Sequence, residues 1–189
     1  MSQRELVERA GRGDHDAFAV LLHGSIGRLE SLAWLVLRDH DLARDAVQDA
    51  FIRAWRDLPG LRDPDRFDAW LHRLTMNACL DLARRRRRRP IEIELTPIAP
   101  AVMPDASVHV AQRDELERGF VQLSAEHRAV LVLHYYVGMP MPALASTLGI
   151  PLGTAQSRLG RALTALRTAL GAEPESVPDP AAVHGGQTA

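Results

Sequence analysis

The residues best equipped to act on another molecule lie between Met139 and Leu170. In MPMPALASTLGIPLGTAQSRLGRALTALRTAL, the side chains of Thr154, Gln156, Ser157, Arg158 and Arg161 bring hydroxyl, amide and guanidinium groups into about two helical turns. Such groups hydrogen-bond phosphate oxygens and base edges, and arginine can bind guanine bidentately. The surrounding charge is one-sided. From His127 to Leu170 there are four arginines and no carboxylate, whereas the whole chain holds 23 basic and 24 acidic residues. A face that is merely solvated would mix both signs, so an ordinary helical hairpin leaves this asymmetry unexplained.

A second concentration is Arg84 to Arg89, six consecutive arginines. Cations at a helix C-terminus complement the macrodipole, but two or three would do that. Six point to a polyanion or an acidic protein surface. Enzyme chemistry has no comparable support. The eight histidines are scattered, and none pairs at helical spacing with a second ligand and a carboxylate. The tripeptides Asp14-His15-Asp16 and Asp39-His40-Asp41 fall where helix caps are expected. There is no glycine-rich phosphate loop, and the single cysteine, Cys79, lies within an apolar helix face. We therefore expect no catalytic residue, no metal and no cofactor. A lone cysteine also excludes an internal disulfide and suits a reducing cytoplasm.

The elements that must hold these groups are helices. Of the 189 residues, 46% are hydrophobic, and they recur at helical spacing with hardly any strand-like alternation. Within Met139–Leu170, Pro142 suits a first helical position and Ala143 to Leu148 a short helix, Gly149-Ile150-Pro151 breaks the chain, and a longer helix restarts at Gly153. Its Ala155, Leu159, Ala162, Leu163, Leu166 and Leu170 share one face. Ala145 and Gly149 fall where two helices should approach closely. This is the pattern of a helix-turn-helix, whose second helix enters the major groove by its N-terminal end.

Upstream, Ser2 to Gly11 reads as a short helix. A second helix begins after Asp14 and runs through Phe18, Leu21, Leu29 and Val36, with Gly24 and Gly27 as possible kinks. A third spans Leu42 to Leu58 with Asp41 as its cap. Ala46, Val47, Ala50, Phe51, Ala54 and Trp55 face inward. A polar loop, Leu61 to Arg66, leads to a fourth helix from Phe67 to about Arg86. That helix buries Phe67, Trp70, Leu71, Leu74, Ala78 and Leu82, and Phe67 and Trp70 are core rather than a base-stacking platform. Pro90 to Gln112, with four prolines, three carboxylates and no arginine, reads as an extended linker, since the strand-like IEIEL has no partner. Helix resumes near Arg113. Ser124 caps a further helix through Val130, Leu131, Leu133 and Tyr136. The proline- and glycine-rich end reads as a disordered tail. The expected fold is all-α: two small helical domains, 1–89 and 113–170, joined by the linker 90–112, with the tail at 171–189.

The polar start SQRELVERAGRGDHD predicts no signal peptide. No apolar run approaches the ~20 residues of a membrane span, so a cytoplasmic location without membrane insertion is expected. Net charge is −1, low for a protein that binds DNA tightly by itself.

These stretches carry a resemblance. DAVQDAFIRAW (Asp45–Trp55), LPGLRDPDR, FDAWLHRLTMNACLD (Phe67–Asp81) and the arginine run closely resemble region 2 of an extracytoplasmic-function (ECF) sigma factor of the sigma-70 family. LSAEHRAVLVLHYYVGMPMPALASTLGIPLGTAQSRLGRALTALR resembles region 4. The resemblance implies a bacterial transcription initiation factor. Asp45, Gln48, Asp49, Phe51, Arg53 and Trp55 would dock on the coiled coil of the RNA polymerase clamp. Arg62, Arg66, Arg73, Asn77, Arg84 and Arg85 would open and read the −10 element, and Thr154, Gln156, Ser157, Arg158 and Arg161 the −35 element. The implied partners are core RNA polymerase, promoter DNA and, as often in this family, an anti-sigma factor. Arg44, Ala143 and Gln156 depart from residues common in the family, which bears on core affinity and −35 sequence rather than on fold. A conventional helix-turn-helix regulator is the other reading, and it predicts specific DNA binding by the isolated chain.

Overall fold

The computed structural model describes residues 1–88 and 107–171, with backbone alone for 107–114. The strand-like IEIEL, most of the expected linker, Arg89 and the C-terminal tail lie outside those residues. Among the described residues all regular structure is helical.

Helix α1 (Gln3–Gly11) starts at a capping box, with Ser2 Oγ accepting from the Glu5 amide and the Glu5 carboxylate accepting from the Ser2 amide. These two bonds satisfy two otherwise orphaned donors. Asp14 caps α2 (His15–Leu37) through the Ala17 amide. Gly24 and Gly27 do not interrupt this helix. By length and composition α2 could cross a membrane, contrary to the expectation from the sequence. It is nevertheless a core helix, because Leu21, Leu29, Leu32, Ala33 and Val36 are buried against its neighbours.

The cap of α3 (His40–Asp57) is Asp39, not Asp41. Asp39 Oδ1 accepts from the Asp41 and Leu42 amides at 3.1 and 3.0 Å. The helix therefore begins two residues before the expected start, and Asp41 becomes the favourable acid of its first turn. Short 3₁₀ turns at Leu58–Gly60 and Pro64–Arg66 carry the chain into α4 (Phe67–Arg88). Arg4 ties α1 to the second turn through Asp65, with Nε 3.1 Å from Oδ1. Helices α1 to α4 form one bundle around Ala46, Val47, Ala50, Ala54, Phe67, Leu71, Leu74 and Ala78.

In the second half, α5 (Ser107–Gln122) begins six residues earlier than the expected restart of helix. It approaches α8 (Leu152–Ala169) closely at Gly119, where a Cβ would lie 2.9 Å from the Leu170 side chain. Ser124 caps α6 (Ala125–Leu131) through the His127 amide. A π turn at Val132–Tyr136 continues α6, with the Val137 amide bonding Val132 O at 3.0 Å. The extra residue buries Val132 and Leu133 but turns Tyr136 outward, so Tyr136 is 59% exposed rather than part of the core.

Helix α7 (Met141–Leu148) closes with Gly149 at φ +63°. The Ile150 amide bonds Ala145 O at 3.0 Å and the Gly149 amide bonds Ser146 O at 3.2 Å, the paired closure of a Schellman motif. A Cβ at Gly149 would meet nothing within 4 Å. The glycine is thus there for its backbone angle, and the close helix approach expected at this turn occurs at Gly119 instead.

The two halves touch. Helices α6 and α7 pack on α2 and α4, and the contact is polar as well as apolar. Arg128 Nε donates to Val36 O at 2.6 Å, and its Nη1 reaches Val121 O at 3.2 Å. Arg38 lies with its guanidinium 4.0 Å from the Trp34 ring centre and Nη2 3.4 Å from Glu117 Oε2.

Candidate functional site

Helix α8 begins after Pro151, which contributes no side-chain cap. Its first amides are therefore free to meet an anion. Gln156, Ser157 and Arg161 are exposed there, and Thr154 and Arg158 are half-exposed. Ala155 and Ala162 hold the opposite side against the bundle. The Ser157 hydroxyl donates to Thr154 O, and Arg161 Nε donates to Ser157 O at 3.3 Å. All five residues read from the sequence thus share one accessible stretch of one helix.

One residue of this surface was not singled out from the sequence. His127, on α6, is held below the usual histidine range first by burial and then by Arg161 and Arg158. The packing of α6 on α8 thus brings His127 under the influence of both arginines. A phosphate between them would favour the protonated imidazole. In the sequence, nothing links His127 to residues thirty positions away until α6 and α8 are packed together.

On α4, Arg73, Asn77 and Arg84 fall on one stripe by their spacing of four and seven. Arg73, Arg84 and Arg85 are exposed and Asn77 is half-exposed. Arg62 and Arg66 are exposed on the loop before α4. Arg66 pairs with Asp63 at 3.3 Å and Arg84 with Asp81. Arg62, Arg73 and Arg85 make no ion pair among the described residues. The loop and the helix thus both present cations to solvent.

The α3 residues divide into two groups. Asp45 and Gln48 are exposed. Asp49 accepts from Arg53 at 2.6 Å, and Arg53 also reaches Asp81 at 3.8 Å, so that pair braces α3 against α4. Phe51 is half-buried against the core. The Trp55 ring stacks on His15 at 4.3 Å and meets Phe18 at 5.0 Å. Phe51 and Trp55 therefore shape the helix from beneath. Ile52, which sequence reasoning passed over, is 61% exposed and lies on the outer face with Asp45 and Gln48, at spacings of seven and four. An isoleucine on a helix face otherwise polar was the available signal.

Among the described residues no group of three histidine, cysteine or acidic side chains is placed to hold a metal ion. Asp14 and Asp39 act as caps. Burial pushes the Cys79 thiol up to about 12, so it is an inert core side chain.

The family model described as Sigma-70 region 2 matches residues 23–89, and that described as Sigma-70, region 4 matches residues 113–166. The chain belongs to the sigma-70 family. It is similar to the ECF RNA polymerase sigma factor SigM of Mycobacterium tuberculosis, with 34% identity over 170 residues, 90% of this chain and 85% of that one. It is equally similar to the RNA polymerase sigma factor CnrH of Cupriavidus metallidurans, with 34% identity over 92% of this chain and 97% of that one. A solved structure of CnrH in complex with the cytosolic domain of CnrY aligns over 90% of this chain and 98% of that one, with a TM-score of 0.62 and 32% identity. The sigma factor RpoE in complex with the anti-sigma factor NepR from Bartonella quintana aligns over 82% of this chain and 98% of that one, with a TM-score of 0.65 and 25% identity.

This sigma-70 member is of the ECF type. It is a transcription initiation factor and not an enzyme. It works by binding core RNA polymerase and promoter DNA. A conventional helix-turn-helix regulator leaves the region 2 match unexplained.

Proposed function

We propose that this ECF sigma factor divides its tasks between a region 2 domain at 1–89 and a region 4 domain at 113–170, with 90–112 as linker and 171–189 as tail. Helix α3 docks on core polymerase through Asp45, Gln48 and Ile52. Asp49 and Arg53 fix its angle on α4, and Phe51 and Trp55 hold it up from the core. The −10 element is opened and read by Arg62, Arg66, Arg73, Asn77, Arg84 and Arg85. A displaced strand needs cations along its phosphates and polar groups at its bases, and this loop and helix supply both. The −35 element is read by Thr154, Gln156, Ser157, Arg158 and Arg161, with His127 as a further phosphate contact. The observation carrying this reading is the exposed cationic start of α8, which no carboxylate neutralises, in a chain that matches region 2 as well as region 4.

A net charge of −1 is consistent with affinity that comes mainly through polymerase, since autonomous DNA binders are usually basic. Such a factor works in the cytoplasm. Because RpoE, a similar sigma factor, is held by the anti-sigma factor NepR, a protein of that class is also the expected regulator here. The test is direct. Purified chain added to core polymerase starts transcription at a promoter that core alone ignores, and no stimulation on any genomic promoter overturns the reading.

A further inference from the structure

Helix α4 is apolar on two opposite sides. Phe67, Leu71, Leu74 and Ala78 face the first-half core. Met76, Leu80 and Ala83, spaced four and three, lie on the other side, where Met76 and Leu80 are buried at 0% and 6% exposure. Ala83 ends this stripe, and beside it, along the last turns of α4, lies a cleft of about 320 Å³. Its apolar wall is completed by Leu37, Leu42, Leu123 and Ala125. No aromatic side chain lines it among the described residues.

The charged part of the lining is one-sided: Arg84, Arg86, Arg87 and Arg128 against a single carboxylate, Glu126. Arg84 is already engaged with Asp81, and Arg86 with Asp39 at 3.1 Å. Arg87 and Arg128 make no ion pair among the described residues. Arg128 is held in place, with Nε donating to Val36 O and Nη1 to Val121 O and Leu123 O. Its Nη2 makes no hydrogen bond among the described residues and is left for a ligand. Burial first, and Arg38 after it, push the Arg128 pKa down to about 10. A nearby anion relieves both effects, and the planar guanidinium matches the oxygens of phosphate.

We propose that this cleft binds a soluble phosphate monoester carried on a short aliphatic chain, with Arg87 and Arg128 on the phosphate and Leu37, Leu42 and Leu123 along the chain. Two unpaired guanidiniums match a dianion, and a phosphate monoester is close to one at neutral pH, whereas a carboxylate brings a single charge. The wall selects the body of the ligand. Aliphatic side chains cover a hydrocarbon, and there is no ring on which a nucleobase could stack. The volume lies at the small end of ligand sites, about 300–1,000 Å³, so the chain is short. Leu37 and Leu123 are only 6% and 5% exposed, a depth that one inserted molecule reaches and a bilayer surface does not. Of the lining residues only Arg84 belongs to the promoter surface proposed above, so the two sites are distinct.

The experiment is calorimetric titration of the full chain with octyl phosphate, kept below the concentration at which it aggregates. The wild type should bind a single equivalent, and about tenfold or more tighter than inorganic phosphate, since burying even two methylenes contributes that much. Uncharged octyl glucoside should bind more weakly than octyl phosphate by a similar factor. Arg87→Glu, at an exposed position, should lower the affinity for octyl phosphate by about tenfold or more. Leu42→Gln should bring octyl phosphate down towards inorganic phosphate. Arg12→Glu makes the same charge change at the exposed end of α1 and should leave binding as it is. Helical content and melting show that each variant is folded. The proposal is overturned when folded Arg87→Glu binds as the wild type does, or when octyl phosphate gains nothing over inorganic phosphate. It is equally overturned when Arg12→Glu weakens binding as much as Arg87→Glu, which marks a general attraction to charge. Binding to vesicles of phosphatidic acid with none to octyl phosphate overturns it too, because the phosphate is then read on a bilayer. Every readout is binding by the free chain, so failure of this site and failure of the promoter reading give different results.

Discussion

Replacing Arg158 by alanine isolates the contribution of the recognition helix. In the free protein the guanidinium is half-exposed, and it has neither an ion pair nor a hydrogen bond among the described residues. Its removal orphans no partner and leaves no cavity, so stability should change by less than about 0.5 kcal/mol. The effect falls on DNA. A bidentate contact to guanine contributes about 1–3 kcal/mol, which at about 1.4 kcal/mol per tenfold is a roughly 5- to 150-fold weaker holoenzyme–promoter complex. Arg158→Lys separates the two contacts an arginine can make. A phosphate contact is largely restored by lysine, and its loss in the alanine variant lowers the salt slope by about one. A base contact is not restored, because the ammonium lacks the planar fork. The assay is holoenzyme binding to a labelled promoter over a range of salt, with melting as the control for folding. A folded alanine variant whose affinity stays within about twofold at every salt concentration refutes the assignment.

Gly149→Ala should cost about 1–2 kcal/mol, because φ +63° strains any residue with a Cβ. The space around it is open, so no clash adds to that figure, and thermal melting of the full chain measures it. Asp39→Ala removes the double cap of α3 and should cost about 1 kcal/mol, with a smaller share from the exposed Arg86 pair at 3.1 Å. Asp39→Asn keeps the capping oxygen and should recover most of the loss, so equal melting of the two variants contradicts the capping account. His72 and His127 both have folded-state pKa values below the ordinary 6.5, with burial the first cause in each. The unfolded chain therefore takes up protons first, and stability should decline as pH falls below about 6.5. His72→Gln should flatten that decline, and an unchanged melting profile between pH 7.5 and 5.5 argues against it. Ile52→Glu should weaken core binding by more than tenfold, since apolar area on the outer face of α3 is replaced by charge; competition against a labelled sigma factor reads this, and unchanged binding removes Ile52 from the interface.

Much of this molecule is legible in the sequence because its signals are local. Caps at Asp14 and Ser124, the glycine stop at Gly149 and the apolar face of α8 depend on neighbours within a turn or two. Where two acids compete, as Asp39 and Asp41 do, local reasoning picks the wrong one, because the choice rests on which carboxylate reaches two amides at once. The π turn after Leu131 has no sequence signature, and with it goes the placement of Tyr136. The larger omission concerns α4. Met76 and Leu80 look like incidental apolar residues on an outer face, yet they are 0% and 6% exposed in a fold where α7 packs on α4. An outer stripe that is apolar at spacings of four and three announces a second partner, but not which one. His127 was invisible for the same reason: its neighbours Arg158 and Arg161 arrive only through packing.

The double-sided character of α4 bears on modularity. Sigma factors built from a reader for each promoter element invite cutting at the linker and exchange of halves between relatives. Here the boundary is not neutral. A first half taken alone carries Met76, Leu80 and Ala83 into water, and a foreign second half inherits the task of covering them. Exchange of promoter specificity between relatives is then constrained by a surface that touches no DNA: the donor must bring a complementary α6 and α7, or the recipient's seam must first be made polar.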